Sequence, residues 1–429
     1  MYVFYSLLLA MAALLSLPWW TVQMLRLGKY RSGLAERLGF VPARLNHDAQ
    51  PGSIWVHAVS VGEVLAVSQL IHELQRQHPD RQIFVSTTTA TGQKLARQRF
   101  GENRVFFMPL DFGFAVRRYL NALKPQLIVI AETEFWPNLL HLAGKRQTSL
   151  AIVNARISDR SFPRYRRFKW FFGRVLSEVD LFLTQTAEDA ERLREIGAPT
   201  GRVRVSGNLK FDIRPNAQPS LVNGLRAAIG KDSPVIVCGS TAEGEEDPLL
   251  AAFKQVRQQF PAAVMILAPR HPERFEKVAA MISAEGLALQ RRSLWSPPEA
   301  INGGGILLLD TVGELAAVYE LADIAFVGGS LVPTGGHNVL EPAQYSAAIL
   351  VGPHTFNFRE IVSIFEQGGA TKIVTAETLY QQFLSLLGHA EERQRMGSRA
   401  KDLFAKHAGA TRRTLEALEP LLKQQERGR

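Results

Sequence analysis

A chain of 429 residues with 46% hydrophobic and 21% charged residues has apolar material for two to three cored domains, which excludes a disordered polymer. Its single cysteine, Cys238, excludes an intrachain disulfide and a thiolate metal cluster, and fits a reducing compartment. A formal charge of +10 at pH 7 points to an anionic partner: nucleic acid, a phospholipid surface or a phosphorylated substrate.

Residues 1–25 carry no charged side chain and are rich in leucine, alanine and aromatics. A spanning helix needs about 20 apolar residues, so the segment is long enough. Pro18, Trp19 and Trp20 sit near its end, as interfacial aromatics do, and Arg26, Lys29, Arg31 and Arg37 follow. The positive-inside rule then places everything downstream in the cytoplasm. A cleaved signal peptide, suggested by Ala10-Met11-Ala12, lacks its basic n-region and has the charge on the wrong side. The expectation is a membrane anchor, either spanning or lying in one leaflet.

Between residues 53 and 207, short apolar runs at 54–56, 82–86, 104–107, 127–131, 150–153, 181–184 and 203–205 alternate with helical spacing, as in 64–74 and 187–196. This alternation predicts a parallel sheet with helices on both faces. A Pro-containing polar stretch at 212–220 marks a boundary. Beyond it the pattern restarts, with strands predicted at 234–238, 263–268, 306–309, 324–327 and 348–351. The expected division is an anchor at 1–25, one α/β domain at 26–211 and a second at 212–429, whose last helix can pack back on the first domain.

Candidate site residues cluster where apolar runs end. Glu63 follows the run 54–56 and the turn His57-Ala58-Val59-Ser60, just as helical spacing begins. A carboxylate in a first helical turn is favoured by the macrodipole alone; the same dipole is expected to hold it ionised, ready to take a proton. Glu132 and Glu134 follow the run 127–131, and in an extended chain they point to opposite sides. Glu134 can equally start the next helix, with Pro137 in its first turn. Lys210 ends the last strand of the first half, where it meets either solvent or an anion.

In the second half, Arg270 and His271 follow a strand, and an arginine fork suits phosphate or carboxylate. Thr311-Val312-Gly313-Glu314 is predicted to open a helix whose free N–H groups can receive an anion. Gly328-Gly329-Ser330 and Gly335-Gly336-His337-Asn338 are turns that bring backbone close to a ligand, and Glu341 near them suits ribose hydroxyls. Together these strand ends predict a nucleotide site. Residues 224–231 imitate a phosphate loop, but the glycine spacing is wrong and Asp232 stands where Ser or Thr is required. No D-x-D pair is present, so a metal-free mechanism is expected. Arg160 to Arg174 interleaves basic and aromatic residues, a pattern suited to single-stranded nucleic acid or to lipid headgroups. Beside an N-terminal anchor the membrane reading is preferred, and no nucleic-acid partner is expected.

The motifs H-A-V-S-V-G-E from His57, A-E-T-E-F-W-P-N from Ala131, V-N-A-R-I-S from Val153, S-G-N-L-K-F-D from Ser206, P-R-H-P-E-R-F from Pro269, D-T-V-G-E-L from Asp310, F-V-G-G-S-L from Phe326, G-G-H-N-V-L-E-P from Gly335 and G-P-H-T-F-N-F from Gly352 together resemble the lipid A Kdo transferases. These glycosyltransferases add 3-deoxy-D-manno-octulosonic acid (Kdo) from CMP-Kdo to the lipid A precursor, lipid IVA, in lipopolysaccharide synthesis. The resemblance implies a GT-B fold, two Rossmann-like domains facing across a cleft with the acceptor side first and the CMP side second. It implies a metal-independent transfer in a Gram-negative cell; the transfer is expected to invert the anomeric centre by direct displacement, without cofactor, and the positive-inside pattern places it at the cytoplasmic face of the inner membrane. By the same resemblance Glu63 is the general base, and Glu132 and Lys210 stabilise the transition state. Arg270, His271, Val312, Gly313, Glu314, Asn338, Val339, Leu340 and Glu341 match the CMP-binding segments. On fold alone two other readings stay open: a nucleotide-sugar epimerase, which has no use for an anchor, and a non-catalytic membrane-tethered nucleotide-binding protein.

Overall fold

Apolar runs without in–out alternation are what strands covered on both faces require, and such runs build two parallel seven-stranded sheets here. The computed structural model describes residues 1–27, 33–46, 52–213 and 218–423; Lys29 and Arg31 of the cationic stretch lie outside them. The chain divides into two compact units, Met1–Ile213 with His407–Arg429, and Arg214–Lys406.

The first unit holds β1 (Ser53–His57), β2 (Ile83–Thr87), β3 (Val105–Phe107), β4 (Pro125–Ala131), β5 (Ser149–Ala155), β6 (Leu181–Thr184) and β7 (Val203–Val205). Their order is β3-β2-β1-β4-β5-β6-β7, all pairs parallel. The winding therefore reverses between β1 and β4. In sheets of this kind, ligands bind beyond the carboxyl ends of the strands at such a reversal. Alternate side chains feed two cores: Trp55, Ile128, Ile130 and Ile152 on one face, Ile54, Val56, Leu127 and Val129 on the other.

The second face is closed by the C-terminal helix Ala410–Lys423, whose Leu415, Leu418 and Leu422 join that core. Each such leucine contributes roughly 1.5–3 kcal/mol by burial. Asp212 fixes the start of this helix, accepting from the N–H groups of Gly409 (2.6 Å) and Thr411 (2.5 Å). A carboxylate there satisfies donors that the first turn leaves open and complements the dipole.

The second unit holds β8 (Val235–Thr241), β9 (Val264–Pro269), β10 (Leu289–Arg291), β11 (Ile306–Leu308), β12 (Ile324–Val327), β13 (Ala348–Val351) and β14 (Thr371–Ile373), in the order β10-β11-β9-β8-β12-β13-β14. Its reversal lies between β8 and β12. The twelve strands expected from sequence are present; β10 and β14 are additions. Both are three-residue edge strands containing Arg or Lys, without the apolar run that marks a buried strand.

Residues Tyr2–Leu27 form one helix with Pro18 inside it. Its stretch Tyr2–Val22 has a mean hydropathy of 1.7, apolar enough to cross a membrane by length and composition.

Candidate active site

In the first unit three carboxylates and one lysine gather at the β1/β4 reversal. β1 delivers the chain to a short turn, and Ser60, in extended conformation, precedes the helix Val61–Gln77. Glu63 reaches back: Val59 N–H donates to its Oε2 (2.8 Å) and the Ser60 hydroxyl to its Oε1 (3.0 Å). That is a capping arrangement, so part of Glu63's role is structural. The side chain is buried, and burial together with the Glu132 and Glu134 charges pushes its carboxyl up to about 7 against both capping bonds. The expectation that the helix dipole keeps Glu63 ionised is thereby corrected. Desolvation and like charge outweigh the dipole.

Glu132 and Glu134 do not point apart, because the chain does not stay extended. Glu132 adopts φ +57°, and its N–H donates to Val153 O (2.9 Å) as the backbone leaves β4. The Thr133 hydroxyl bonds Arg156 O, and Arg156 N–H donates back to Thr133 Oγ1 (3.1 Å). With the bend fixed in this way, both acids act on Glu63, and burial and the Glu132 charge raise the Glu134 carboxyl too. Lys210 Nζ stands 3.8 Å from Glu132 Oε1.

Lys210 is placed by three amides, of which Asn154 and Asn208 stand in motifs quoted above and Gln185 in none. Asn154, fully buried at φ +55°, accepts from Leu209 N–H (2.9 Å) through Oδ1. Gln185 accepts from the Asn208 amide (2.8 Å), and Asn208 Oδ1 accepts from Lys210 N–H (3.0 Å). Asparagine is among the few residues that tolerate the left-handed region. A buried asparagine closing the apolar run 150–153 was the available signal.

In the second unit the glycine turns are locked by a carboxylate that the motif reading passed over. Glu245, fully buried, accepts from four backbone N–H groups: Ala242 (2.8 Å), Gly329 (2.7 Å), Ser330 (2.8 Å) and Leu331 (2.7 Å). It thereby ties the end of β8 to the end of β12. Ser330 Oγ in turn accepts from Gly352 N–H (2.8 Å), adding the end of β13. The approach is so close that a Cβ on Gly328 would stand 2.6 Å from Ser240 O. Glu246 and Asp247, which follow Glu245, lie in the first turn of helix Glu246–Gln259, where acids complement the dipole. Exchange of Glu245 for alanine leaves at least three N–H groups without their acceptor, at about 1–3 kcal/mol each. Scanning calorimetry should show the transition of this unit falling by roughly 10 °C or more.

Arg270 and His271 are exposed beyond β9, and both act electrostatically on His337. Burial, then these two neighbours, pushes the His337 imidazole down to about 4, so it is neutral and can donate one N–H. Burial raises the Glu341 carboxyl, opposed by the Asn338 amide (3.2 Å) and by Arg270. Arg270, His271, His337, Asn338 and Glu341 are thus brought together. The segment Val312-Gly313-Glu314 differs from its expectation: the helix it opens, Leu315–Val318, is a single turn. Glu314 is engaged by Arg292 (2.9 Å) and Thr311, while Val312 is exposed. Val339 and Leu340 are core residues, leaving only their backbone for a ligand. Arg274 pairs bidentately with buried Glu246 (2.6 and 2.9 Å) and is structural.

The basic–aromatic segment forms helices Phe162–Arg167 and Lys169–Leu176. Its aromatics are not all exposed. Phe162, Tyr165, Phe171 and Phe172 pack on the core, leaving Phe168 and Trp170 in the open. Phe135, of the loop that carries the two acids, meets Tyr165 and Phe172 with ring centroids 5.7 and 5.9 Å apart.

Chemically, the first site offers a carboxylate poised near neutrality beside two further acids and a cation. That combination suits proton abstraction from a hydroxyl.

The family model described as 3-deoxy-D-manno-octulosonic-acid transferase (kdotransferase) matches residues 32–213. A 3-deoxy-D-manno-octulosonic acid transferase of Haemophilus influenzae is 35% identical over 398 residues, 92% of each chain. One of Bordetella pertussis is 38% identical over 383 residues, 86% of this chain and 87% of that one. Among solved structures, the UDP-GlcNAc 2-epimerase of Neisseria meningitidis bound to UDP-GlcNAc is similar with a TM-score of 0.56 at 14% identity, over 85% of this chain and 99% of that one. At that identity the likeness concerns the fold.

Proposed function

Because the chain belongs to the 3-deoxy-D-manno-octulosonic acid transferase family and is thus a glycosyltransferase of lipopolysaccharide synthesis, we propose that it carries Kdo from CMP-Kdo to lipid IVA with inversion, using Glu63 as general base. The observation that carries the assignment of the base is a buried carboxyl raised to about 7 at the reversal of the first sheet. In this mechanism a primary hydroxyl of the lipid attacks the anomeric carbon of Kdo as Glu63 takes its proton. The new C–O bond forms while the bond to the CMP phosphate breaks, and CMP leaves with the electron pair. Lys210 and Glu132 stabilise charge that develops at the sugar. Arg270 and His271, with the His337 N–H, are the donors available to the departing phosphate; Asn338, Glu341 and the backbone of Val312, Gly313, Val339 and Leu340 hold the rest of CMP. No metal or cofactor enters.

The long apolar helix and the basic–aromatic segment support attachment to the cytoplasmic face of the inner membrane. The phosphates of the acceptor and the carboxylate of the donor sugar are natural partners for the excess positive charge. Incubation with CMP-Kdo and a tetra-acylated lipid A precursor, followed by mass spectrometry, tests the proposal. The expected product is lipid carrying Kdo, with one CMP released per sugar. CMP release without sugar on lipid, or an epimerised nucleotide sugar, would refute it.

A further inference from the structure

The first helix is fastened to the catalytic unit at its amino end. The Tyr2 ring stacks on His141 with centroids 3.8 Å apart, and its hydroxyl donates to Glu178 (3.1 Å). Ser6 exchanges hydrogen bonds with Asn138 (3.0 and 3.3 Å), and Tyr5 bonds the Asp111 carboxylate. Asp111 in turn accepts from the N–H groups of Asn138 and Leu139 (2.9 Å each), at the start of the helix after the acid-bearing loop. The other end of the first helix is fastened covalently. Beyond Ser6 it runs on for roughly 32 Å, yet the chain allows Leu27 to stand at most about 20 Å from Gly33. Gly33 lies against the Phe107 ring in the same unit.

These two attachments are incompatible with a crossing. A helix through a hydrocarbon core of about 30 Å would carry Tyr2 to the far side and strip it, Tyr5 and Ser6 from their partners. The outer flank of the helix is nonetheless open and apolar: Val3, Phe4, Leu7, Met11, Leu14 and Val22 are exposed. Around its docked end the unit adds more exposed apolar side chains. Tyr5 touches Asp111 and Phe171. Leu110 and Phe114 flank the first, Phe168 and Trp170 flank the second, and all four are exposed. Leu110 N–H donates to Arg37 O (2.8 Å), and the exposed Phe40 follows, with Arg118 above its ring. Exposed Arg117, Arg164, Arg166 and Arg167 border the same segments.

We infer that the first helix lies within one leaflet instead of spanning the bilayer, its amino end docked beside the acid-bearing loop, and that Phe40, Leu110, Phe114, Phe168 and Trp170 enter the same leaflet around it. An apolar surface rimmed by arginines fits an anionic phospholipid leaflet. Through Tyr5, Ser6 and Asn138, the membrane-embedded element touches the segment carrying Glu132 and Glu134, so a lipid substrate can reach that site without leaving the leaflet.

The inference rests on the membrane attachment proposed above, and one experiment separates the two. The full chain carrying single nitroxide-labelled cysteines at Val3, Leu14 or Val22 is reconstituted into vesicles of phosphatidylethanolamine and phosphatidylglycerol. Cys238 is buried and stays unlabelled. Expected are labels at comparable shallow depth in one leaflet, and no reaction of Val3→Cys with an impermeant maleimide from the face opposite the catalytic units. Leu14 at the midplane with Val3 reactive from the opposite face would overturn the in-plane arrangement alone. A chain that fails to sediment with the vesicles would overturn the attachment as well. Dipolar broadening between chains at low protein-to-lipid ratio would overturn lipid as the occupant in favour of a second copy.

Discussion

Exchanging Glu63 for glutamine is expected to lower Kdo transfer by about 10²–10⁴-fold while the chain stays folded and binds CMP as before. Glutamine preserves the cap. Its amide oxygen can accept from Val59 N–H and its NH₂ can donate to Ser60 Oγ, the two bonds that Glu63 makes. What is removed is the capacity to take a proton. Stability should move the other way. The Glu63 carboxyl is raised to about 7 because burial and Glu132 disfavour its charged form. The folded state therefore favours the protonated acid, an advantage complete below the ordinary carboxyl range and lost as pH rises through about 7. Above that pH the wild type carries a buried, repelled charge and the glutamine variant does not. The variant should unfold at higher temperature near pH 8, by an amount worth about 1–3 kcal/mol, and show little difference near pH 5. Reduced transfer with raised stability separates a catalytic carboxylate from one that only caps a helix.

The second large effect belongs to Lys210. Exchange for methionine removes the cation 3.8 Å from Glu132 and is expected to cost about 10²–10³-fold in kcat, the usual loss when a preorganised charge is withdrawn. The Asn154, Gln185 and Asn208 bonds run to backbone and neighbouring amides, so the loop should keep its place. The pH profile supplies the more discriminating readout. Exchange of Glu132 for glutamine withdraws a like charge that raises Glu63, and the acidic limb should move to lower pH. That shift follows from electrostatic control of Glu63 by Glu132. A merely structural role for Glu132 predicts no such shift.

The architecture was legible because buried parallel strands announce themselves as apolar runs, and the long runs from 127 and 263 needed no further information. The three-residue edge strands β10 and β14 lack that pattern. Glu63 was legible as a position, since a strand end followed by helical spacing places it. Its protonation was not, because it depends on acids delivered by β4, 69 and 71 residues further along the sequence. The joint approach of Glu132 and Glu134 turned on one left-handed residue, a backbone choice no side-chain periodicity encodes. Glu245 was hidden for a different reason. Its four acceptor bonds go to backbone, which carries no residue-specific signal.

The most direct test of the account is the pH dependence of single-turnover Kdo transfer, wild type against the Glu63→Gln variant, with donor saturating. The wild-type rate should rise with pH through about 7 as Glu63 becomes ionised, and the variant should show a low residual rate without that limb. A variant that transfers Kdo at near-wild-type rate, or keeps the same acidic limb, would contradict Glu63 as the base.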